Sequence, residues 1–141
     1  AAIRLATPDD AEDLSRLITV MGYAAGADDV ATRLRTLPET GHAVYVAVTD
    51  RVAGWVHVQI TYSLIVGTRA ELGGLAVAEQ GSGAGTALLA TAERWAVRRG
   101  AATMYVRSGA ERTAAHGFYV RRGYTVRKTQ LALTKPLTPP G

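Results

Sequence analysis

The sequence contains no cysteine, and only 6% of its 141 residues are aromatic. The absence of cysteine excludes disulfide bonds, thiolate metal sites and a cysteine acyl-enzyme intermediate. We see no stacking platform and no reader motif, so we expect no nucleic-acid partner. His42, His57 and His116 lack the spacing of metal ligands, and we therefore expect no metal.

Long apolar runs are also missing from the sequence. No run approaches the roughly 20 residues that span a bilayer, and the first residues lack the basic-then-apolar order of a signal peptide. We therefore expect a cytoplasmic protein with no membrane partner. With 48% hydrophobic and 20% charged residues, the composition predicts one globular domain over residues 1–141, in which 135–141 form a C-terminal tail.

The formal net charge is +4, and the cations concentrate in the second half, for example in "WAVRRG" and "YVRRGYTVRK". This clustering favours an anionic ligand on that side of the molecule. A solvated basic face explains any single arginine equally well.

Alternating and helical apolar patterns predict ten elements in the order β-α-α-β-β-β-α-β-α-β. The first helix is expected after Thr7 as N-cap, with Pro8 at its first position. Three consecutive strands before a crossover helix predict an α+β fold, with a mixed sheet that is antiparallel early and partly parallel late, flanked by about four helices. The remaining predictions are helices at 28–37, 83–99 and 111–122, and strands at 3–6, within 42–60 with a turn at 49–51, at 70–77 and at 102–107, and in a closing strand or hairpin at 124–137.

Three glycines crowd into the stretch "QGSGAGTALL", where a strand ends and a helix is predicted to begin. Glycine lets an anion approach the backbone, and the helix dipole adds positive charge there. The stretch is not a P-loop, because Gly85 is followed by Thr86 and Ala87 with no lysine. It also departs from the dinucleotide fingerprint, because it lacks the third glycine and an acid about 20 residues further on.

The pattern Gln/Arg-x-x-Gly-x-Gly/Ala fits this stretch, and with it the chain resembles the GNAT superfamily of N-acetyltransferases. "AHGFYVRRGY" at 115–124 is similar to a second family signature, and the predicted element order matches along essentially the whole chain. The resemblance implies a GNAT-like fold and acetyl-CoA as co-substrate. It also implies a set of cofactor-binding residues: Leu75, Ala76, Val77, Gln80, Gly81, Ser82, Gly83, Ala84, Gly85 and Thr86. The backbone N–H of Leu75 is the oxyanion donor by the same resemblance.

One position departs from the family pattern. Many members carry asparagine where this chain has Arg112. Arg112 is expected either to contact a cofactor phosphate or to form a surface ion pair.

The resemblance implies Tyr119 as the general acid beside the coenzyme sulfur and Glu71 as the general base. Alternation along the strand places Glu71, Gly73 and Leu75 on one face unless a bulge intervenes. The alternatives are a half-buried tyrosine with a satisfied hydroxyl and a glutamate paired with Arg69. His116, three residues before Tyr119, either tunes the tyrosine or the acceptor site, or packs as a structural residue.

The expected activity is acetyl transfer from acetyl-CoA to a primary amine by direct attack in a ternary complex. The alternative is a catalytically inactive acyl-CoA-binding or sensing domain. The acceptor is a small-molecule amine or a peptide or protein amine, shaped by the first two helices and by the loops "GYAAGADD" and "TYSLIVGTR". Asp28 and Asp29 are candidates, with Glu71, to attract a cationic amine. A homodimer is possible through the apolar segment "LALTKPL".

Overall fold

A computed structural model describes residues 2–38, 40–109 and 111–140. The chain forms two compact units, the first ending at Val106 and the second beginning at Arg107. The single domain expected over 1–141 stays a prediction.

The first unit contains a five-stranded sheet in sequential order. The first three strand pairs are antiparallel and the last is parallel. The sheet therefore confirms the mixed α+β fold that the element order predicts. Its strands are β1 (Ala2–Leu5), β2 (His42–Val48), β3 (Val52–Ser63), β4 (Gly67–Val77) and β5 (Met104–Val106).

Four α-helices lie among the described residues, as the helical patterns predict. A short 3₁₀ turn at Pro8–Asp10 precedes the first of them. The helices are α1 (Ala11–Val20), α2 (Ala27–Thr36), α3 (Ala84–Arg98) and α4 (Thr113–Arg121). None of the helices in the described part of the chain is long and apolar enough to cross a membrane.

The start of α1 is tied to β1 by the buried carboxylate of Asp10. It accepts hydrogen bonds of 2.8 Å from both terminal guanidinium nitrogens of Arg4 and from the N–H of Thr7. The Arg4 hydrogen bond lowers the pKa of Asp10 from its ordinary value. The first helix therefore enters the fold at a defined point beside the sheet.

Helices cover both faces of the sheet in the first unit. Gly54 of β3 permits the close approach of α3, since a Cβ there would lie 3.0 Å from Cδ1 of Leu88. The neighbouring Trp55 points to the other face, where it packs against the core formed by α1, α2 and Val46. One face of β3 therefore packs against α3, and the opposite face packs against α1 and α2.

The prediction of a closing strand or hairpin at 124–137 is wrong. Residues 124–140 contain neither helix nor strand. Leu131, Leu133 and Leu137 are each 87% exposed. An alternating apolar pattern forms a strand only where one face packs against a partner, and these side chains have no such burial. The expected tail from 135 onward is likewise irregular up to residue 140, and Gly141 lies outside the described residues.

Candidate functional site

Strand β4 carries an irregularity in its middle. Gly74 pairs with His57 and Leu72 pairs with Val58, so Gly73 is an extra residue on β4. A Cβ at Gly73 would lie 2.9 Å from Nδ1 of His57. Glycine is therefore required here by the histidine ring, and the strand bends at a β-bulge.

Beyond the bulge, one edge of β4 is left without a neighbouring strand. β5 pairs only with Ala70, Glu71 and Leu72, whereas β4 continues to Val77. No strand among residues 2–38, 40–109 and 111–140 pairs with this edge at positions 73–77. A segment of backbone is thus available to pair with an extended ligand.

The direction of the backbone groups follows from the pairing with β3. The N–H of Ala78 donates to the carbonyl of Ala53 at 2.7 Å. In an antiparallel pair alternate residues point both polar groups at the partner, so Ala76 and Gly74 face β3. The N–H and C=O of Leu75 and Val77 therefore point to the unpaired edge.

The glycine loop follows directly after this strand. Gly81 has φ of 79° and Gly83 has φ of 86°, conformations that favour glycine. No atom lies within 4 Å of a Cβ placed at either position. Gln80, Ser82 and Thr86 are exposed beside them. The loop thus presents an open, side-chain-free surface on which a bulky anion can approach the backbone.

The loop leads into the N-terminus of α3, which has no acidic residue in its first turn. The helix dipole places about half a positive charge at this end, and no carboxylate of the first turn cancels it. Ala84 differs from its neighbours, because its side chain is buried and its N–H donates to Oγ of Ser82 at 3.4 Å. Gly85, next along α3, is partly buried.

Glu71 is buried on β4, with 8% of its surface exposed. It pairs with Gln59 of β3 and with Tyr105 of β5. Gln59 shares its face of β3 with His57, so Glu71 points to the face covered by α1 and α2. Leu75, beyond the bulge, pairs with Val56 on the opposite face. The simple alternation that placed Glu71 and Leu75 on one face does not hold, because the bulge at Gly73 reverses it.

Sequence reasoning missed a pair of histidines on this face. Nδ1 of His42 lies 3.2 Å from Nε2 of His57, and the rings stack. Burial, and then nearby His42, lowers the pKa of His57 from its ordinary value. The available signal was alternation in "HAVYV" and "GWVHV", which puts one histidine on each of two neighbouring strands. No group of three potential metal ligands occurs in the described parts of the chain.

Tyr119 belongs to α4 in the second unit. Its ring contacts Phe118 and Tyr124 edge-on at centroid distances of 5.3 and 5.5 Å. Burial raises the pKa of its phenol above the ordinary value. The hydroxyl is therefore fully protonated at neutral pH, as a hydrogen-bond donor must be.

Two further residues of the second unit have defined surroundings. Nε2 of His116 lies 2.8 Å from the carbonyl oxygen of Gly109, so the ring donates to the backbone. This contact favours the structural role over tuning of Tyr119. Arg112 is the N-cap residue of α4, and its carbonyl accepts from the N–H of His116.

The geometry can be compared with known proteins. The model of the acetyltransferase (GNAT) family matches residues 11–124 of this chain. No curated protein matches the sequence.

Solved structures share the fold at low sequence identity. The aminoglycoside 6'-N-acetyltransferase AAC(6')-Ig from Acinetobacter haemolyticus superposes with a TM-score of 0.81 at 17% identity, covering 98% of this chain and 100% of that one. A transcriptional regulator from Bacillus halodurans gives 0.83 at 22% identity, covering 95% and 99%. A putative acetyltransferase from Agrobacterium tumefaciens gives 0.82 at 20% identity, covering 96% and 100%. At these identities the likeness establishes the fold.

Proposed function

The chain belongs to the acetyltransferase (GNAT) family, and we propose that it transfers the acetyl group of acetyl-CoA to a primary amine. One observation carries this proposal: an unpaired strand edge at Leu75 and Val77 runs directly into an open glycine loop at a helix N-terminus. The unpaired strand edge suits an extended chain that carries amides, and the glycine loop suits a pyrophosphate. Acetyl-CoA contains both groups in that order.

The donor is held mainly by backbone groups in this proposal. Val77 and the carbonyl of Leu75 pair with the pantetheine amides, while Gly81, Gly83 and Gly85 line the pyrophosphate. Ala76 and Ala84 support these contacts without making them, since the backbone of Ala76 faces β3 and the N–H of Ala84 is bonded to Ser82. Gln80, Ser82 and Thr86 flank the loop, and Arg112 stays a candidate phosphate ligand.

When bound, acetyl-CoA supplies the thioester carbon that the amine attacks within a ternary complex. The N–H of Leu75 would donate to the oxyanion that develops during attack, a role that suits its direction toward the unpaired edge. Glu71 would accept the proton of the amine, and Tyr119 would donate a hydrogen bond to the departing thiolate. A phenol with a raised pKa transfers its proton to a thiolate only uphill, so donation of a hydrogen bond is the main contribution of Tyr119.

A thermal-shift titration tests the donor assignment. Acetyl-CoA, CoA, NAD and ATP are compared in parallel, because a ligand at 100 times its Kd stabilises the fold by about 2.7 kcal/mol. We expect stabilisation by acetyl-CoA and CoA, followed by release of CoA when an acceptor amine is added. Stabilisation by NAD alone, or by none of the four, would contradict the proposal.

The same experiment separates catalysis from binding alone. If acetyl-CoA binds but no amine in a broad panel releases CoA, the chain is an acyl-CoA-binding domain and the roles of Glu71 and Tyr119 fall. That outcome would support the donor-site assignment and contradict the proposed transferase activity.

A further inference from the structure

A cavity of about 300 Å³ lies between α1, α2 and the strands β2 and β3. This volume is at the lower end of the range for small-molecule sites, about 300–1,000 Å³. Seven of the nine lining residues are apolar, and the other two are Arg33 and His57. The apolar ones are Leu14, Ile18, Val30, Leu34, Leu37, Val44 and Trp55.

The charge of the lining selects against polycations. Among residues 2–38, 40–109 and 111–140, no aspartate or glutamate lines the cavity, and the one fixed charge there is the cation of Arg33. Asp28 and Asp29, considered above as attractors of a cationic amine, lie exposed in the first turn of α2 and do not line the cavity. An ammonium group placed against apolar walls loses its hydration without gaining a partner. An apolar substituent gains free energy in the same place.

Two residues that line the cavity also contact the segment of β4 that precedes the unpaired edge. His57 lines the cavity and packs against the bulge at Gly73, and Trp55 lines it and packs against Gly74. A Cβ at Gly74 would clash with the Trp55 ring, so this contact is tight. Gly74 immediately precedes Leu75, whose N–H is directed at the unpaired edge. Trp55 and His57, on the β3 side of the cavity, therefore lie between the cavity and the backbone next to the proposed site of attack.

His57 supplies an imidazole on the β3 side of the cavity. Its Nε2 is engaged with His42, and its Nδ1 is the ring atom nearest to a Cβ at Gly73. The lowered pKa keeps the ring uncharged at neutral pH, so it does not repel an amine entering beside it. An uncharged imidazole can also accept a hydrogen bond from an amine N–H.

We propose that this cavity binds the apolar substituent of the acceptor, so that the substrate is a small amine bearing one aryl or branched alkyl group. The inference rests on the proposed function, because it places the amine beside the acetyl-transfer site. It excludes polycationic acceptors, including aminoglycosides of the kind that the structurally similar AAC(6')-Ig acetylates. A single ring or branched chain fits within the cavity, and the amine lies at the His57 end.

Acceptor kinetics with three probe amines test the class. 2-Phenylethylamine carries an arene, ethylamine is too small to fill the cavity, and kanamycin is a polycation. We expect kcat/KM for 2-phenylethylamine to exceed that for ethylamine by about 100-fold, a difference typical of filling an apolar pocket with several carbons. We expect kanamycin to be the poorest of the three.

A cavity-filling variant localises the effect. Leu34→Trp should raise KM for 2-phenylethylamine about tenfold or more, and it should change kcat/KM for ethylamine much less, since ethylamine has no ring to exclude. Val97→Trp is the matched control, since it adds the same ring at a position on α3 that is 71% exposed. If Leu34→Trp does not fold, Val44→Phe fills the cavity from the sheet side. Binding of 2-phenylethylamine, measured by isothermal titration, should weaken in parallel without any acetyl donor present.

The outcomes separate this inference from the proposed function. Turnover of kanamycin above 2-phenylethylamine, or unchanged KM in both filled variants, would overturn the cavity assignment and leave the transferase intact. Binding of 2-phenylethylamine at the cavity without any effect of acetyl-CoA would instead contradict the transferase.

Discussion

The proposed donor site and the proposed acceptor cavity are built in different ways. The donor site uses backbone, because a strand edge and a glycine loop present N–H groups with no side chain in the way. The cavity uses side chains, because eight of them from four elements, with Leu37 just after α2, define its shape and charge. The two regions adjoin at the bulge of β4, where Gly73 and Gly74 accommodate His57 and Trp55. The difference implies that donor binding depends on conformation, whereas acceptor choice depends on composition.

The largest loss of activity is expected at Glu71, the proposed general base. Glu71→Gln keeps the size of the side chain and removes its basicity, so kcat should fall about 100-fold or more, the usual contribution of a general base. Acetyl-CoA binding should be unchanged. Glu79→Gln is the matched control, since Glu79 is exposed. Equal activity of both variants in steady-state kinetics would show that Glu71 is structural.

A smaller effect is expected from the tyrosine of α4. Tyr119→Phe retains the ring contacts with Phe118 and Tyr124 and removes one hydrogen bond, so kcat should fall about tenfold. Tyr124→Phe removes a hydroxyl from the neighbouring ring and should have little effect. If the two variants behave alike in single-turnover kinetics, the assigned role of Tyr119 is wrong.

The smallest effect concerns stability and belongs to the cavity. His57 has a lowered pKa when folded and regains its ordinary value of 6.5 when unfolded. Below that pH the unfolded chain binds more protons, so stability should decrease as the pH falls through this region. His57→Gln should flatten the dependence between about pH 5 and 7, a window above the titration of carboxylates. Thermal denaturation at several pH values measures this, and identical slopes in both proteins would contradict it.

The sequence predicted the backbone-built region better than the region built from side chains. The order of the first nine elements, the mixed sheet and the glycine loop are readable, because helical periodicity, alternation and glycine spacing are local signals. The stretch "QGSGAGTALL" indicates its own backbone conformation, because Gly81 and Gly83 have positive φ, which glycine adopts readily.

The bulge, the histidine pair and the cavity were not predicted, because each depends on tertiary contacts. Gly73 is an extra residue only with respect to β3, and His42 meets His57 only through strand register. The loop expected at "TYSLIVGTR" is mostly strand, since β3 runs to Ser63 and β4 begins at Gly67. The strand predicted at 124–137 is absent for the opposite reason: its local apolar pattern is present, but its leucines do not pack against a partner.

The two ends of α3 offer the most direct test of backbone-based donor binding. Gly83 and Gly100 flank the helix with φ of 86° and 83°, and neither has an atom within 4 Å of a Cβ position. Gly83→Asp and Gly100→Asp therefore add the same carboxylate in the same backbone conformation. The helix dipole favours the acid at the N-terminal end, so loss of folding does not explain a selective defect of Gly83→Asp.

Isothermal titration with acetyl-CoA is the measurement. We expect Gly83→Asp to weaken binding by about 100-fold, or roughly 2.7 kcal/mol, while Gly100→Asp binds like the unaltered protein. Equal affinities in both variants would contradict the account, because the glycine loop would then have no part in holding the donor.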